Sequence, residues 1–262
     1  MKNGVLSFDL DLTLLEHANM RITPSALDAI NLLRDQWYIV IASGRDMNDK
    51  NVSHFKDLIR PDGIVHANGA RVEFGGQIIA EWPIPAQTIE DLLAVAKKEN
   101  WCVGTWDGKY AYFVNEESMV KYDIEWRGKC DRLFRPVEEI LTWKLYTMTI
   151  RGSEENIKKA EKLFPQLAFP RFGGIPGADI VLKQAGKKNG MKILLDHIGL
   201  NFNDVIAFGD SKNDLELLTA AKIGIAMGNS ELVVKEQADY VTDDIDQDGV
   251  WNACKHFGLI SD

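Results

Sequence analysis

A chain of 262 residues, 45% of them hydrophobic, can hold one large domain or two of ordinary size, each with a real core. Its formal net charge of -9 argues against nucleic acid or an anionic membrane surface as the main partner, while an anionic ligand stays possible wherever cations are placed locally. The three cysteines, Cys102, Cys130 and Cys254, are odd in number and without metal-site spacing, and no apolar run approaches the ~20 residues of a membrane span, so a soluble cytoplasmic protein is expected.

The first element is an apolar run at 5–8 that ends in Asp9-Leu10-Asp11-Leu12-Thr13, two carboxylates one residue apart with a hydroxyl two further on. It reads as a buried strand carrying two acids to its C-terminal end, the edge at which open parallel α/β sheets bind ligands. Carboxylates held this close stay ionised cheaply only with a cation between them, and Mg2+ is the obvious one. Asp9 is ionised at neutral pH without help from a base and is suited to attack phosphorus. Asp11, if the site raises its pKa, can protonate the leaving oxygen and then deprotonate water. Taken alone, the stretch also reads as an acidic turn, or as Thr13 capping a helix.

Thr23-Pro24 opens a helix with a capping hydroxyl, and a buried strand follows at 37–42. That strand runs into Ser43-Gly44-Arg45, where backbone N–H groups and the Ser43 hydroxyl can hold a phosphate, or which is a plain strand-to-helix turn. A third strand at 64–67 leads to Asn68-Gly69, and a hairpin spans 71–81 around Gly75-Gly76. Trp82-Pro83-Ile84-Pro85 breaks regular structure and marks a domain boundary. Beyond it come a helix near 89–96, a hairpin at 101–106 and 110–114 around Asp107-Gly108, a stretch that is hard to read, a strand at 143–150, a helix capped by Ser153, and strands at 167–172 and 179–182. Helix and hairpin thus recur, which predicts an antiparallel sheet with helices on one face. From Lys187 the parallel α/β pattern returns: a helix ending at Gly199, a strand at 205–208 running into Gly209-Asp210-Ser211-Lys212-Asn213-Asp214, a strand at 223–227, and a final helix near 250–257. The expected fold is α/β, a Rossmann-like parallel-sheet core from residues 1–82 and 186–262 with an inserted α+β cap domain at 83–185.

Asp210 and Asp214 are a second pair of acids at a strand end, and with Asp9 they offer Mg2+ the hard oxygen ligands it prefers. Lys187 supplies a charge that can neutralise a phosphoryl group. The order Asp-x-Asp-x-Thr, Ser-Gly-Arg, Lys, Gly-Asp-x-x-Asn-Asp resembles the haloacid dehalogenase superfamily. The long insertion resembles its type IIB cap, and the whole resembles a Cof-type phosphatase. Asn68-Gly69-Ala70, Met227-Gly228-Asn229 and Ala238-Asp239-Tyr240-Val241-Thr242 support the likeness. The resemblance implies Asp9 as nucleophile and metal ligand, Asp11 as acid/base and main-chain carbonyl ligand, and Ser43, Gly44, Lys187 and Asn213 on the phosphate. It also implies Asp210 as second side-chain ligand and Asp214 as the residue that orients metal waters or Lys187. One departure is Leu12, where these phosphatases usually carry glycine.

The activity implied is Mg2+-dependent hydrolysis of a small phosphorylated metabolite, such as a sugar phosphate, through an aspartyl-phosphate. The protein is expected to be a monomer or homodimer. A phosphotransferase or phosphomutase of the same fold and a non-catalytic phosphate-ligand binding protein are the competing readings. A P-loop fails because Lys188 follows Gly186-Lys187 where Ser or Thr belongs. In the middle domain, residues 83–185 hold 15 acidic and 15 basic residues, so the outer segments carry the whole excess of negative charge. Arg127, Lys129, Arg132 and Arg135 are its densest basic cluster, and read either as a solvated face or as cations offered to the non-reacting part of a substrate. Trp101, Trp106, Trp126 and Trp143 are either core or a stacking surface.

Overall fold

Val5–Phe8 is buried at all four positions, as a strand covered on both faces must be, and pairs in parallel with Val205–Gly209 on one side and Tyr38–Ala42 on the other. This strand lies inside an eight-stranded sheet of the computed structural model, which describes residues 2–49 and 52–261. Across the sheet the order is Tyr240–Val241, Ile223–Ala226, Val205–Gly209, Val5–Phe8, Tyr38–Ala42, Gly63–His66, Arg71–Phe74 and Gln77–Glu81. The first six are parallel and the last two antiparallel. On one face the helices Pro24–Leu33 and Gly249–His256 bury Ala26, Ile30 and Leu33, and Val250, Ala253 and Cys254, in one cluster with Leu6, Phe8, Ile39 and Ile41. Register brings the strand ends level: Phe8 lies opposite both Phe208 and Ile41, and Ala42 opposite Val65. The residues after these strands, Asp9, Ser43 and Asp210 among them, therefore leave the sheet at one edge.

The chain divides into two compact units, one of Met1–Glu81 with Gly186–Asp262 and one of Trp82–Ala185. The second holds a six-stranded sheet in the order Leu133–Phe134, Tyr110–Val114, Cys102–Trp106, Met148–Arg151, Ala178–Leu182, Leu167–Ala168. Its helices Ala86–Glu99 and Glu154–Leu163 bury Ile89, Leu92 and Ala96, and Ile157 and Ala160, against Val103, Tyr112, Ile150 and Ile180. Ser153 caps the second of these helices by accepting from the Asn156 N–H at 3.3 Å.

The structure corrects several expectations. The stretch that was hard to read contains a helix, Glu116–Arg127, which packs Met119 and Tyr122 against Cys102, Ala111 and Phe113. Strand side chains alternate in direction, so this helix covers the face opposite the other two, and helices lie on both faces rather than one. Leu133–Phe134 runs parallel to Tyr110–Val114, so the sheet is not purely antiparallel. The strand expected at 143–150 begins only at Met148, because Val137–Thr142 is a 3-10 turn whose last carbonyls pull Trp143 in by an N–H to Ile140 contact of 3.0 Å. Thr23 precedes its helix without a side-chain cap bond.

The basic cluster is not a free cationic surface. Asp123, fully buried, takes Arg132 at 2.6 and 3.2 Å and Arg127 at 3.2 Å, while Asp131 holds Lys129 and Glu139 holds Arg135. All four cations are neutralised inside the unit. Trp101 is core, Trp143 packs edge-on to Tyr112, and Trp106 and Trp126 are exposed.

Candidate active site

The first motif folds as a turn rather than a helix start: the Leu14 and Leu15 N–H groups both return to the Leu10 carbonyl, and the buried Thr13 hydroxyl caps nothing. Leu12 sits at φ 57°, in the left-handed region that favours glycine, which gives the departure at this position a physical cost. Its carbonyl accepts from Asn229 Nδ2 at 2.9 Å, so the turn is tied to the loop after the Ile223–Ala226 strand.

Four of the expected residues meet at the sheet edge. Lys187 opens the helix Lys187–Ile198, is buried, and donates from Nζ to Asp9 Oδ1 and to Asp214 Oδ1, both at 2.6 Å. Asp9, Asp210 and Asp214 each offer a carboxylate oxygen, and these oxygens all lie within 4.8 Å of one another. Asp214 Oδ2 also accepts from the Asp210 and Ser211 N–H groups at 3.1 Å, which folds the acidic loop back on itself. Gly209 makes this fold possible, since a Cβ there would sit 2.6 Å from the Asp214 side chain. Gly69, at φ 85°, does the same for the lysine: a Cβ would lie 2.1 Å from the Gly186 carbonyl oxygen, so only glycine lets the two loops meet.

The remaining residues form the rim. Ser43 is fully buried; its hydroxyl accepts from the Arg45 N–H across Gly44 at 3.1 Å, and its carbonyl from the Asn68 N–H at 2.9 Å. Asn213 donates from Nδ2 to Asn68 Oδ1 at 3.0 Å, linking the acidic loop to the strand end at His66. Asp11 does not join the acid cluster. Its carboxylate is held by Arg45 through Nε at 2.7 Å and Nη2 at 2.6 Å, and meets His17 Nε2 at 2.7 Å. Sequence reasoning gave no role to Arg45 or His17. Arg45 stands in a motif already noticed, but His17 lies on a hairpin of two-residue strands, Leu15–Glu16 and Arg21–Ile22, too short to show a period.

The electrostatics separate the two acids of the first motif. Burial pushes the Asp9 carboxyl up to about 7, with Lys187 opposing and Asp214 and Asp11 adding to the rise. Burial, then Asp9 and Asp214, push Asp210 up to about 9. Burial works to raise Asp11 too, but the hydrogen bonds from His17 and Arg45 outweigh it and hold that carboxyl well below the usual range. Burial alone would lower the Lys187 ammonium; the charges of Asp214 and Asp9 keep it raised. The condition set on Asp11 as an acid, that the site raise its pKa, is not met in this arrangement of His17 and Arg45. With all four aspartates ionised, Lys187 and Arg45 leave two negative charges uncompensated, an arrangement of buried oxygen donors that suits a divalent cation of Mg2+ type.

Comparison with known proteins points the same way. The family model for haloacid dehalogenase-like hydrolases matches residues 6–254. The putative phosphatase YkrA of Bacillus subtilis is 28% identical over 279 residues, spanning 99% of this chain and 100% of that protein. The phosphatase BT1666 from Bacteroides thetaiotaomicron, of the haloalkanoate (HAD) enzyme superfamily, aligns in structure with a TM-score of 0.88 at 28% identity, over 98% of this chain and 96% of that one. The HAD subclass IIB sugar phosphatase BT4131 aligns with a TM-score of 0.83 at 29% identity, over 98% and 100% of the two chains.

Proposed function

Because this chain belongs to the haloacid dehalogenase-like hydrolases and is a phosphatase of that superfamily, we propose that it hydrolyses a small phosphorylated metabolite with Mg2+ through an aspartyl-phosphate on Asp9. The observation that carries this reading is the buried Lys187 ammonium, 2.6 Å from both Asp9 and Asp214. It fixes Asp9 Oδ1, and Oδ2 remains as the attacking oxygen. Asp9, Asp210 and Asp214 are the side chains that would hold the metal, with the Asp11 carbonyl as the family implies. Bound there, Mg2+ supplies positive charge to the phosphoryl oxygens and to the crowded carboxylates.

In the first step Asp9 Oδ2 forms a bond to phosphorus while the ester oxygen leaves with a proton from Asp11. In the second, water attacks the same phosphorus, Asp11 takes its proton, and the Asp9 carboxylate departs, releasing inorganic phosphate. Lys187 neutralises charge at Asp9 throughout, and the Ser43 and Asn213 loops hold the phosphate. Asp11 ionised on Arg45 is the base that the second step needs; the first step needs it released from Arg45 and protonated.

We assign substrate choice to the second unit, Trp82–Ala185, on its near-neutral charge in a chain whose other segments are acidic and on the sugar phosphatase among the similar structures. The class of substrate that fits is a sugar phosphate or a metabolite of similar size. A panel of such esters assayed with Mg2+ for phosphate release tests the proposal. Release that depends on Mg2+ and vanishes in Asp9→Asn is expected. Near-normal release in Asp9→Asn, or phosphoryl transfer to a sugar acceptor without release, would contradict it.

A further inference from the structure

The second unit carries an open pocket of about 400 Å³ that no step of the proposed reaction uses. That volume is typical of small-molecule sites. Its wall is built around Arg151, the last residue of the Met148–Arg151 strand, which lies opposite Cys102 in the sheet. The guanidinium is stacked between two rings, 4.6 Å from the Tyr122 centroid and 4.2 Å from that of Phe172, and donates from Nη1 to the Tyr122 hydroxyl at 2.9 Å.

What sets Arg151 apart is the absence of an acid partner. The second unit has five arginines, and the other four, Arg127, Arg132, Arg135 and Arg171, are each paired with a carboxylate. Among the described residues no carboxylate pairs with Arg151; the charge of Asp179 favours its cationic form, and its Nε is buried with no acceptor. A half-buried guanidinium with no carboxylate beside it is costly to hold, and its terminal N–H groups are the kind of donor that a carboxylate or phosphate accepts from. The rest of the lining agrees. Lys121 and Glu125 offset each other, so the net charge at the wall is positive, and Ser118 and Asn156 add neutral polar groups. Trp126, 43% exposed and 6.4 Å from the Tyr122 ring, offers a flat apolar surface beside the cation.

We propose that this pocket is a ligand site for a small anion carried on a flat unsaturated ring, the anion on Arg151 and the ring against Trp126. Such a ligand is either the non-reacting end of the substrate or a separate metabolite.

The test uses the full chain and benzoate, titrated by calorimetry, with benzamide and cyclohexanecarboxylate as neutral and saturated counterparts. Benzoate is expected to bind at one site, more tightly than either counterpart. Arg151→Gln should weaken it by about tenfold or more, the loss expected for a charged hydrogen bond, with much of the affinity kept in Arg151→Lys. Trp126→Ala removes an exposed ring and leaves the fold intact, so it carries the test should Arg151→Gln not fold; it should bring benzoate down to the level of cyclohexanecarboxylate. Equal binding of benzoate in Arg151→Gln, equal binding of benzamide, or no benzoate binding at all would overturn the proposal. These titrations need no turnover, so they stand or fall apart from the phosphatase mechanism. With the site established, competitive inhibition of phosphate-ester hydrolysis by benzoate assigns it to the substrate, and any non-competitive effect to a separate metabolite.

Discussion

Leu12 occupies the left-handed region at φ 57° in a turn where a glycine would be unstrained. A residue with a Cβ costs ~1–2 kcal/mol there, and glycine's extra freedom in the unfolded chain returns ~0.5–1 kcal/mol of that. Leu12→Gly should therefore raise stability in urea denaturation by up to about 1.5 kcal/mol; a loss of about 1 kcal/mol would mean that packing of the leucine side chain outweighs the strain. Arg45 is the second residue whose role shows only in three dimensions. Together with the His17 contact, its two bonds to Asp11 hold that carboxyl low against burial, so in Arg45→Gln the Asp11 pKa must rise and the limb of the pH–rate profile that it sets must move to higher pH. An unmoved profile would remove Arg45 from the acid/base account. Asp9, Asp210, Asp214 and Lys187 were legible from the sequence because their chemistry is fixed by type and by a strand end or helix start. The partners of Asp11 were not, because a side-chain contact across a fold depends on rotamers that spacing does not encode.

The helix Glu116–Arg127 is the element that sequence reading missed, and the reason is physical: it buries only Met119 and Asp123, so its apolar face is too thin to give a helical period. A start signal was there in Asn115, whose side chain accepts from the Ser118 N–H, followed by Glu116 and Glu117 in the first turn. Asp123 explains how such a helix docks. It is fully buried and gathers Arg132 and Arg127, two of the cations that from sequence read either as a solvated face or as a substrate contact. Removing one partner of a buried pair strands the other, so Asp123→Ala should cost ~3 kcal/mol or more of stability. Glu138→Ala breaks an exposed pair with Lys97 and should change stability by less than ~1 kcal/mol. Equal losses in the two variants would show that the Asp123 cluster does not anchor the helix. By contrast, the hairpin at Arg71–Phe74 and Gln77–Glu81 and the cap at Ser153 were fully readable, since turn glycines and capping hydroxyls act locally.

At the scale of the molecule, the excess negative charge lies in the sequence segments that build the sheet edge, and the stability of the metal-free protein should report it. Asp9 and Asp210 have folded pKa values of about 7 and about 9, above their ordinary 3.8. The folded state therefore holds their protons more tightly, and the stability they contribute is complete in acid and lost as pH rises toward those values. Asp11 works the other way, but only below its ordinary range, and Lys187 only above its own, so neither interferes near neutrality. Thermal unfolding without metal should thus weaken from about pH 5.5 to about pH 8.5, and added Mg2+ should raise the midpoint more at the higher pH. A midpoint that ignores Mg2+ at both values would deny the acid cluster its cation. The order of the two segments around an insertion was legible because a parallel strand-and-helix pattern stops at Trp82 and resumes at Lys187, whereas the electrostatic imbalance of the site emerges only once Asp9, Asp210 and Asp214 converge. The central claim is that Asp9 carries the phosphoryl group, and it is tested most directly by rapid acid quench of the Asp11→Asn variant with a phosphate ester and Mg2+, followed by mass spectrometry of its peptides. The account predicts one added phosphoryl group on the peptide containing Asp9. Phosphate release with no such peptide at any time, or with the phosphoryl group on another residue, would contradict it.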